Sequence, residues 1–258
     1  LVGSEMCIRD RYHSKQPLPP HSVVLTFDDG YRSNHQYALP ILEKYKLHGT
    51  VFVATDFVEN GNWQWWDRLE FALGHSEKSQ FSYDFPHESF EAALDDKSSR
   101  KTAFLDLLPL IKKQKQETVS KILSEIEEKL ECSLATADSV PEMYIPMTWE
   151  QVQEVEDSEW MTIGAHTHTH KILGRCEPET VREELLVSRD LLSEKVGVEA
   201  PVFSYPNGHI GDHTRLTRRE VIDLGFKCAL TTETGFNTIE SDLFLSLIHI
   251  SEPTRPSV

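Results

Sequence analysis

Two adjacent carboxylates, Asp28 and Asp29, close one short apolar run, and three histidines in five residues, His166, His168 and His170, follow another. Neighbouring carboxylates repel each other unless a cation or a proton stands between them. A metal ion on one leaves the other as a base. His166 and His170, four apart, can face a single ion where the chain turns after a strand, with His168 directed elsewhere. Two imidazoles and one carboxylate, with open positions for water and substrate, form a facial site suited to Zn2+ or another divalent transition ion. An ion held by Asp29, His166 and His170 polarises a carbonyl oxygen and acidifies water, and Asp28 is placed to take the proton. The product is a tetrahedral oxyanion, for which the backbone N–H of Asn207, within Pro206-Asn207-Gly208, is a second donor. Each motif alone has a plainer reading: an Asp-Gly turn or helix cap, a polar histidine loop or tag fragment, a Pro-Asn-Gly turn. Their shared position, just past the ends of three apolar runs, is the stronger argument.

The elements that must place these groups follow from pattern and punctuation. Residues 22–27 read as a buried strand ending at Asp28, and Ala38, Leu39, Ile41, Leu42 and Tyr45 recur at helical spacing. Residues 50–53 read as a second strand, which completes a βαβ unit and implies a parallel sheet with its functional loops at the carboxyl ends. From Glu59 to about residue 145 the pattern changes to a helical insertion. Within it residues 90–130 read as helical and highly charged, with Val119, Ile122, Leu123, Ile126 and Leu130 on one face. Thr148 to Gln151 fits a capping box, and residues 160–163 form a strand running into His166. Pro178 opens a long helix with Val181, Leu185, Leu192 and Val196 on one face. A strand at 202–205, a helix over 216–224 closed by Gly225 and a strand at 226–232 complete the pattern. Trp63, Trp65, Trp66 and Tyr205 are either core or platforms for sugar rings.

With 258 residues, 39% hydrophobic and 26% charged, the composition is that of an ordinary globular protein. Asp plus Glu number 42 against 26 Lys plus Arg, a formal charge of −16 that repels phosphate backbones and anionic lipid, so nucleic acid and membrane surfaces are poor partners. No apolar run approaches the roughly 20 residues a bilayer span needs.

Leu1–Arg11 and Leu245–Arg255 back-translate into strings that are reverse complements over about thirty nucleotides, the pattern of a library adapter translated at both ends of a fragment. Residues 1–11 and 245–258 are therefore expected to be adapter-derived and residues 12–244 to form the domain. On that expectation a leader, an anchor or further domains could have been lost, and the compartment is not readable. Cys7 drops out with the first stretch, leaving Cys132, Cys176 and Cys228 as expected buried free thiols.

Thr26-Phe27-Asp28-Asp29-Gly30 and His166-Thr167-His168-Thr169-His170 together resemble the signatures of the polysaccharide deacetylase family, the NodB-homology or chitooligosaccharide deacetylase group of carbohydrate esterase family 4. The resemblance implies a distorted, incomplete (β/α) barrel, here with a helical insertion, and removal of N-acetyl groups from an N-acetylated sugar polymer, in an extracytoplasmic setting. It also implies Asp28 as catalytic base, with Asp29, His166 and His170 as metal ligands. Residues 203–208 resemble a third motif, with Ser204 where many members carry an arginine that holds the base, so Asp28 must be positioned by something else. Leu247-Ile248-His249 imitates a motif whose histidine is the general acid, but it lies inside the adapter-like stretch and is set aside. His209 and His213 are expected to be exposed loop residues, which leaves the acid unassigned. A same-fold hydrolase of a small amide and a non-catalytic carbohydrate-binding relative are the alternatives.

Overall fold

The computed structural model describes Gln16 and residues 23–136, 139–199, 201–235, 237–238 and 240–248. The described residues divide into two compact units: those up to Gly61 together with those from Pro146 onward, and those within Asn62–Ile145.

The first unit is built on six parallel strands whose spatial order follows the chain: β1 (Leu25–Phe27), β2 (Gly49–Val53), β5 (Met161–Ala165), β6 (Phe203–Ser204), β7 (Ala229–Thr234) and β8 (Ser246–Ile248). Helices α1 (Leu39–Tyr45), α6 (Trp149–Glu156), α7 (Pro178–Val196) and α8 (Arg215–Asp223) supply apolar side chains to its main core. The curled parallel sheet with its helices is the incomplete (β/α) barrel implied by the motifs. Parallel pairing of strands in sequential order puts every strand's carboxyl end on one edge. β2 is buried at all five positions, as a strand covered on both faces must be. Leu185 and Leu192 of α7 are fully buried against the sheet, each contributing about 1.5–3 kcal/mol by removal from water.

Local chemistry sets the boundaries. Thr148 and Gln151 exchange both bonds of a capping box at α6, and Thr214 and Thr217 do the same at α8. α7 starts on Pro178 and stops where Gly197 turns left-handed, φ 74°. Ser246–Ile248, inside the stretch expected to be adapter-derived, pair with β7. An open sheet edge offers unpaired backbone groups to any short apolar run.

The second unit holds α3 (Trp65–His75), an antiparallel hairpin of β3 (Gln80–Asp84) and β4 (Ser89–Ala93), α4 (Lys97–Lys112) and α5 (Gln116–Leu130) around its own core. The hairpin corrects the expectation that residues 90–130 are helical throughout. In β3, Phe81 and Tyr83 are buried while Gln80, Ser82 and Asp84 are exposed, a period of two that the surrounding charge obscured. On α5 the expected face of Val119, Ile122, Leu123, Ile126 and Leu130 is the buried one. No described helix is long and apolar enough to cross a membrane.

Candidate active site

The strand tips bring the predicted groups together. Past β1 the chain turns at Asp29, whose backbone is left-handed (φ 75°), and at Gly30 (φ 93°). The turn is pinned by bonds from the Gly30 N–H to the Asp28 carbonyl, 3.0 Å, from the Ala54 N–H to the Asp29 carbonyl, 3.2 Å, and from the Met147 N–H to the Gly30 carbonyl, 3.0 Å. Past β5, the His166 N–H donates to the Val53 carbonyl at 3.0 Å, which extends the ladder by one residue and fixes the origin of the imidazole.

Asp29 Oδ1 lies 3.7 Å from His166 Nε2 and 3.3 Å from His170 Nε2, and the two rings meet edge-on with centroids 4.6 Å apart. Among the described residues these three form a group able to hold a metal ion, with one ligand atom from each within 4.8 Å of the others. His166 Nδ1 lies 2.8 Å from the Ser204 carbonyl oxygen. A carbonyl only accepts, so Nδ1 carries the proton and Nε2 presents its lone pair toward Asp29. Burial holds His166 below its ordinary pKa, outweighing the opposing charge of Asp28, while His170 pushes the same way as burial. The ring is thereby kept neutral, as a metal ligand must be.

Water reaches the outer face of Asp28, but protein crowds the rest of it. This desolvation pushes its carboxyl up, His166 pulls it down and Asp29 raises it further. Solvent access tempers the shift, and a cation beside Asp29 would oppose it.

His168 points away, as expected: its Nδ1 is 3.0 Å from Thr55 Oγ1 and its Nε2 3.9 Å from Asp56, both at the start of α2 (Thr55–Asn60). The same helix start binds the loop backbone, the Thr55 and Asp56 N–H groups donating to the Thr167 and His168 carbonyls at 3.3 and 2.9 Å. Asn207 sits at the tip of β6, left-handed at φ 61°, with its carbonyl accepting from Thr232 Oγ1. Gly208 follows because a Cβ there would stand 2.7 Å from the Thr232 nitrogen.

Among the described residues six non-glycines have positive φ; Lys46 and Glu131 close helices, and the other four are Asp29, Thr167, His170 and Asn207. Such conformations cost of order 1–3 kcal/mol each and persist only where surroundings over-determine them. Thr167, β-branched and fully buried at φ 63°, is the most strained. Backbone strain therefore collects on the loops that carry the predicted groups.

Three expectations are corrected. Tyr205 is not a sugar platform: it is 1% exposed, its ring packs between Phe203 and His213, and its hydroxyl donates to the Phe244 carbonyl at 3.3 Å. Residue 205 follows the in-register pair Phe203 and Ser204, and its own N–H still bonds the Leu230 carbonyl, which turns its side chain into the core. His209 is exposed, but His213 is not a free loop residue; it is half-buried against Tyr205, and burial lowers its pKa. Cys228 is buried, whereas Cys132 and Cys176 are only partly so, all three being free thiols. In the second unit Trp63 and Trp65 pack against apolar clusters, the core role. His249 lies outside the described residues.

One residue escaped sequence reasoning. Glu184 of α7 is 3% exposed and accepts from the His168 and Thr169 N–H groups at 3.0 and 2.7 Å, from Thr169 Oγ1, and from Lys171 Nζ at 2.9 Å. The available signal was a carboxylate three residues after Val181 and one before Leu185, inside a buried stripe that is otherwise apolar but for Ser188.

A family model described as polysaccharide deacetylase matches residues 15–229. The Bacillus subtilis (strain 168) protein YxkH, whose name assigns it provisionally to the polysaccharide deacetylases, is 52% identical over 31 residues, 12% of this chain and 11% of its own. The match thus spans about a tenth of that relative's length. Among solved structures, IcaB from Ammonifex degensii is 16% identical with a TM-score of 0.60, over 97% of this chain and 77% of its own. The Streptococcus pyogenes deacetylase PplD is 17% identical with a TM-score of 0.58, over 96% and 74%. The deacetylase domain of BpsB from Bordetella bronchiseptica is 20% identical with a TM-score of 0.57, over 96% and 79%. At these identities the likeness is one of fold.

Proposed function

Because the chain belongs to the polysaccharide deacetylase family, whose members are hydrolases acting on amide bonds, we propose that it is a metal-dependent de-N-acetylase of an N-acetylhexosamine-containing polysaccharide or oligosaccharide. The observation that carries this reading is the convergence of Asp29, His166 and His170 within 4.8 Å, with Asp28 next to them. One carboxylate and two neutral imidazoles suit Zn2+ or a similar divalent ion, and Asp29, His166 and His170 would hold it. When bound, such an ion supplies positive charge that polarises a carbonyl and lowers the pKa of water.

The chain's own groups account for the remaining steps. Asp28 accepts a proton from the attacking water as its oxygen bonds to the acetyl carbon. The Asn207 N–H donates to the oxygen that gains negative charge. The Ser204 carbonyl keeps His166 in one tautomer throughout. The C–N bond then breaks as the proton taken up by Asp28 passes on to the nitrogen, releasing acetic acid, which ionises to acetate, and leaving a free amine on the sugar. The Streptococcus pyogenes fold relative is in complex with acetate, the product this reading assigns.

The test is acetate release from chitin oligomers and from poly-N-acetylglucosamine, with zinc, after chelation, and after zinc is restored. Activity should vanish with the chelator and return with the metal. Asp28→Asn should lower kcat/KM by about 10²- to 10⁴-fold while still binding zinc. Release that survives Asp28→Asn refutes the assignment of the base. Tight sugar binding without release in any metal would favour the non-catalytic alternative.

A further inference from the structure

In the reading above the Nε2 atoms of His166 and His170 would face the ion, and apart from the bond of His166 Nδ1 to the Ser204 carbonyl the shape of the turn between them must be held by other groups. Its shape also resists spontaneous formation, since Thr167 and His170 are both left-handed, at φ 63° and 56°. The middle of the turn is gripped from two sides. The start of α2 donates to the carbonyls of Thr167 and His168, and Glu184 accepts from the N–H groups of His168 and Thr169. Both backbone donors converge on one oxygen of Glu184, Oε2, while Oε1 accepts from the Thr169 hydroxyl and from Lys171 Nζ. A carboxylate is the one common side chain that offers acceptors alone to four donors.

The location is as informative as the bonds. Glu184 lies on the buried stripe of α7 between Val181 and Leu185, both 0% exposed, and its side chain is 4% exposed. Burying a carboxylate there opposes the packing of the helix unless its partners require it. Those partners all lie in residues 168–171, between or next to His166 and His170.

We propose that Glu184 is a positioning residue for the metal centre, clamping the 167–170 turn so that His166 and His170 present their Nε2 atoms to one ion. It touches neither the ion nor the substrate. This rests on the reading that Asp29, His166 and His170 bind a divalent cation.

The test measures metal affinity on the full chain. Zn2+ dissociation constants are taken by competition with a chromophoric chelator, and the Co2+ d–d absorption spectrum reports the geometry of the site. Wild type, His170→Ala, Glu184→Leu, Glu184→Gln and Glu184→Asp are compared, with near-UV circular dichroism of each metal-free protein as the check on folding. Glu184→Leu suits the apolar stripe but removes every acceptor; it should weaken zinc by about 10- to 100-fold and change the Co2+ spectrum with the metal-free fold intact. Glu184→Gln keeps an oxygen for both backbone donors and should recover most of the affinity. Should Glu184→Leu not fold, the contrast between Glu184→Gln and the shortened Glu184→Asp decides, with weak binding expected in Glu184→Asp alone. Wild-type affinity and spectrum in folded Glu184→Leu, or in both Glu184→Gln and Glu184→Asp, would overturn this inference and leave the metal site standing. No divalent ion bound by wild type would overturn both. Binding by wild type that is lost in His170→Ala keeps the reading and makes Glu184 the variable.

Discussion

Gly164→Ala tests whether the packing of β5 controls the proposed metal site. Gly164 pairs in register with Phe52 of β2 and lies two residues before His166. A Cβ at position 164 would stand 2.6 and 2.7 Å from two ring carbons of Phe52 and 3.0 Å from Val202 Cγ2. Carbon atoms pack best at about 3.5–4.0 Å, so the new methyl is roughly one ångström too close. The ring has nowhere to go, being 0% exposed and packed with Val202, Cys228 and Leu230. The strands must part instead. Overpacking of this kind costs about 1–3 kcal/mol. At roughly 2–4 °C per kcal/mol for a domain of this size, Tm should fall by about 2–12 °C. Since His166 is fixed by the Val53 and Ser204 carbonyls on the two neighbouring strands, displacement of β5 should also weaken zinc binding. Thermal unfolding with and without zinc reads both effects. A second substitution, Phe52→Leu, removes the clashing ring edge and should recover part of the loss, giving a non-additive pair. An unchanged Tm in Gly164→Ala, or strict additivity with Phe52→Leu, would refute the reasoning.

Tyr205→Phe removes the hydroxyl bond to the Phe244 carbonyl and should cost about 0.5–1.5 kcal/mol in urea unfolding while KM for chitin oligomers stays as in wild type. A large rise in KM at unchanged stability would return Tyr205 to the substrate. Glu156 accepts from the Ile163 N–H at 2.7 Å, and its burial raises its carboxyl above the usual 4.5 despite that bond. For an acid with a raised pKa, the folded state binds more protons than the unfolded one between the two values. Its contribution is therefore full below pH 4.5 and is lost as pH rises through the folded pKa. Glu156→Gln should accordingly be the more stable protein at pH 7, with the difference closing below about pH 4.5; a wider gap in acid would reverse the assignment.

Much of the candidate site was legible in the chain because its signals are local. Asp28-Asp29-Gly30 and the spacing of His166 and His170 follow apolar runs, and a short apolar run ending in polar residues marks a strand tip without knowledge of its neighbours. The capping box at Thr148 and Pro178 at a helix start likewise act within a few residues of themselves. The β3–β4 hairpin was equally local, but its alternation was hidden by a charge density that reads as helix surface.

What the chain could not disclose depends on contacts between distant segments. The proton on His166 is placed by Ser204, 38 residues away, through a backbone carbonyl that any residue type would supply. Tyr205 stands inside rather than outside because the neighbouring strand decides which way its side chain turns. The strain at Thr167 and His170 is a property of φ, on which a threonine or histidine code is silent, and Glu184, although it falls on the apolar stripe of α7, shows its partners only in the fold. Residue type and spacing specify which groups are able to bind an ion. Burial, tautomer and backbone strain arise only when the strands and α7 pack together, because each is set by atoms far away in the chain.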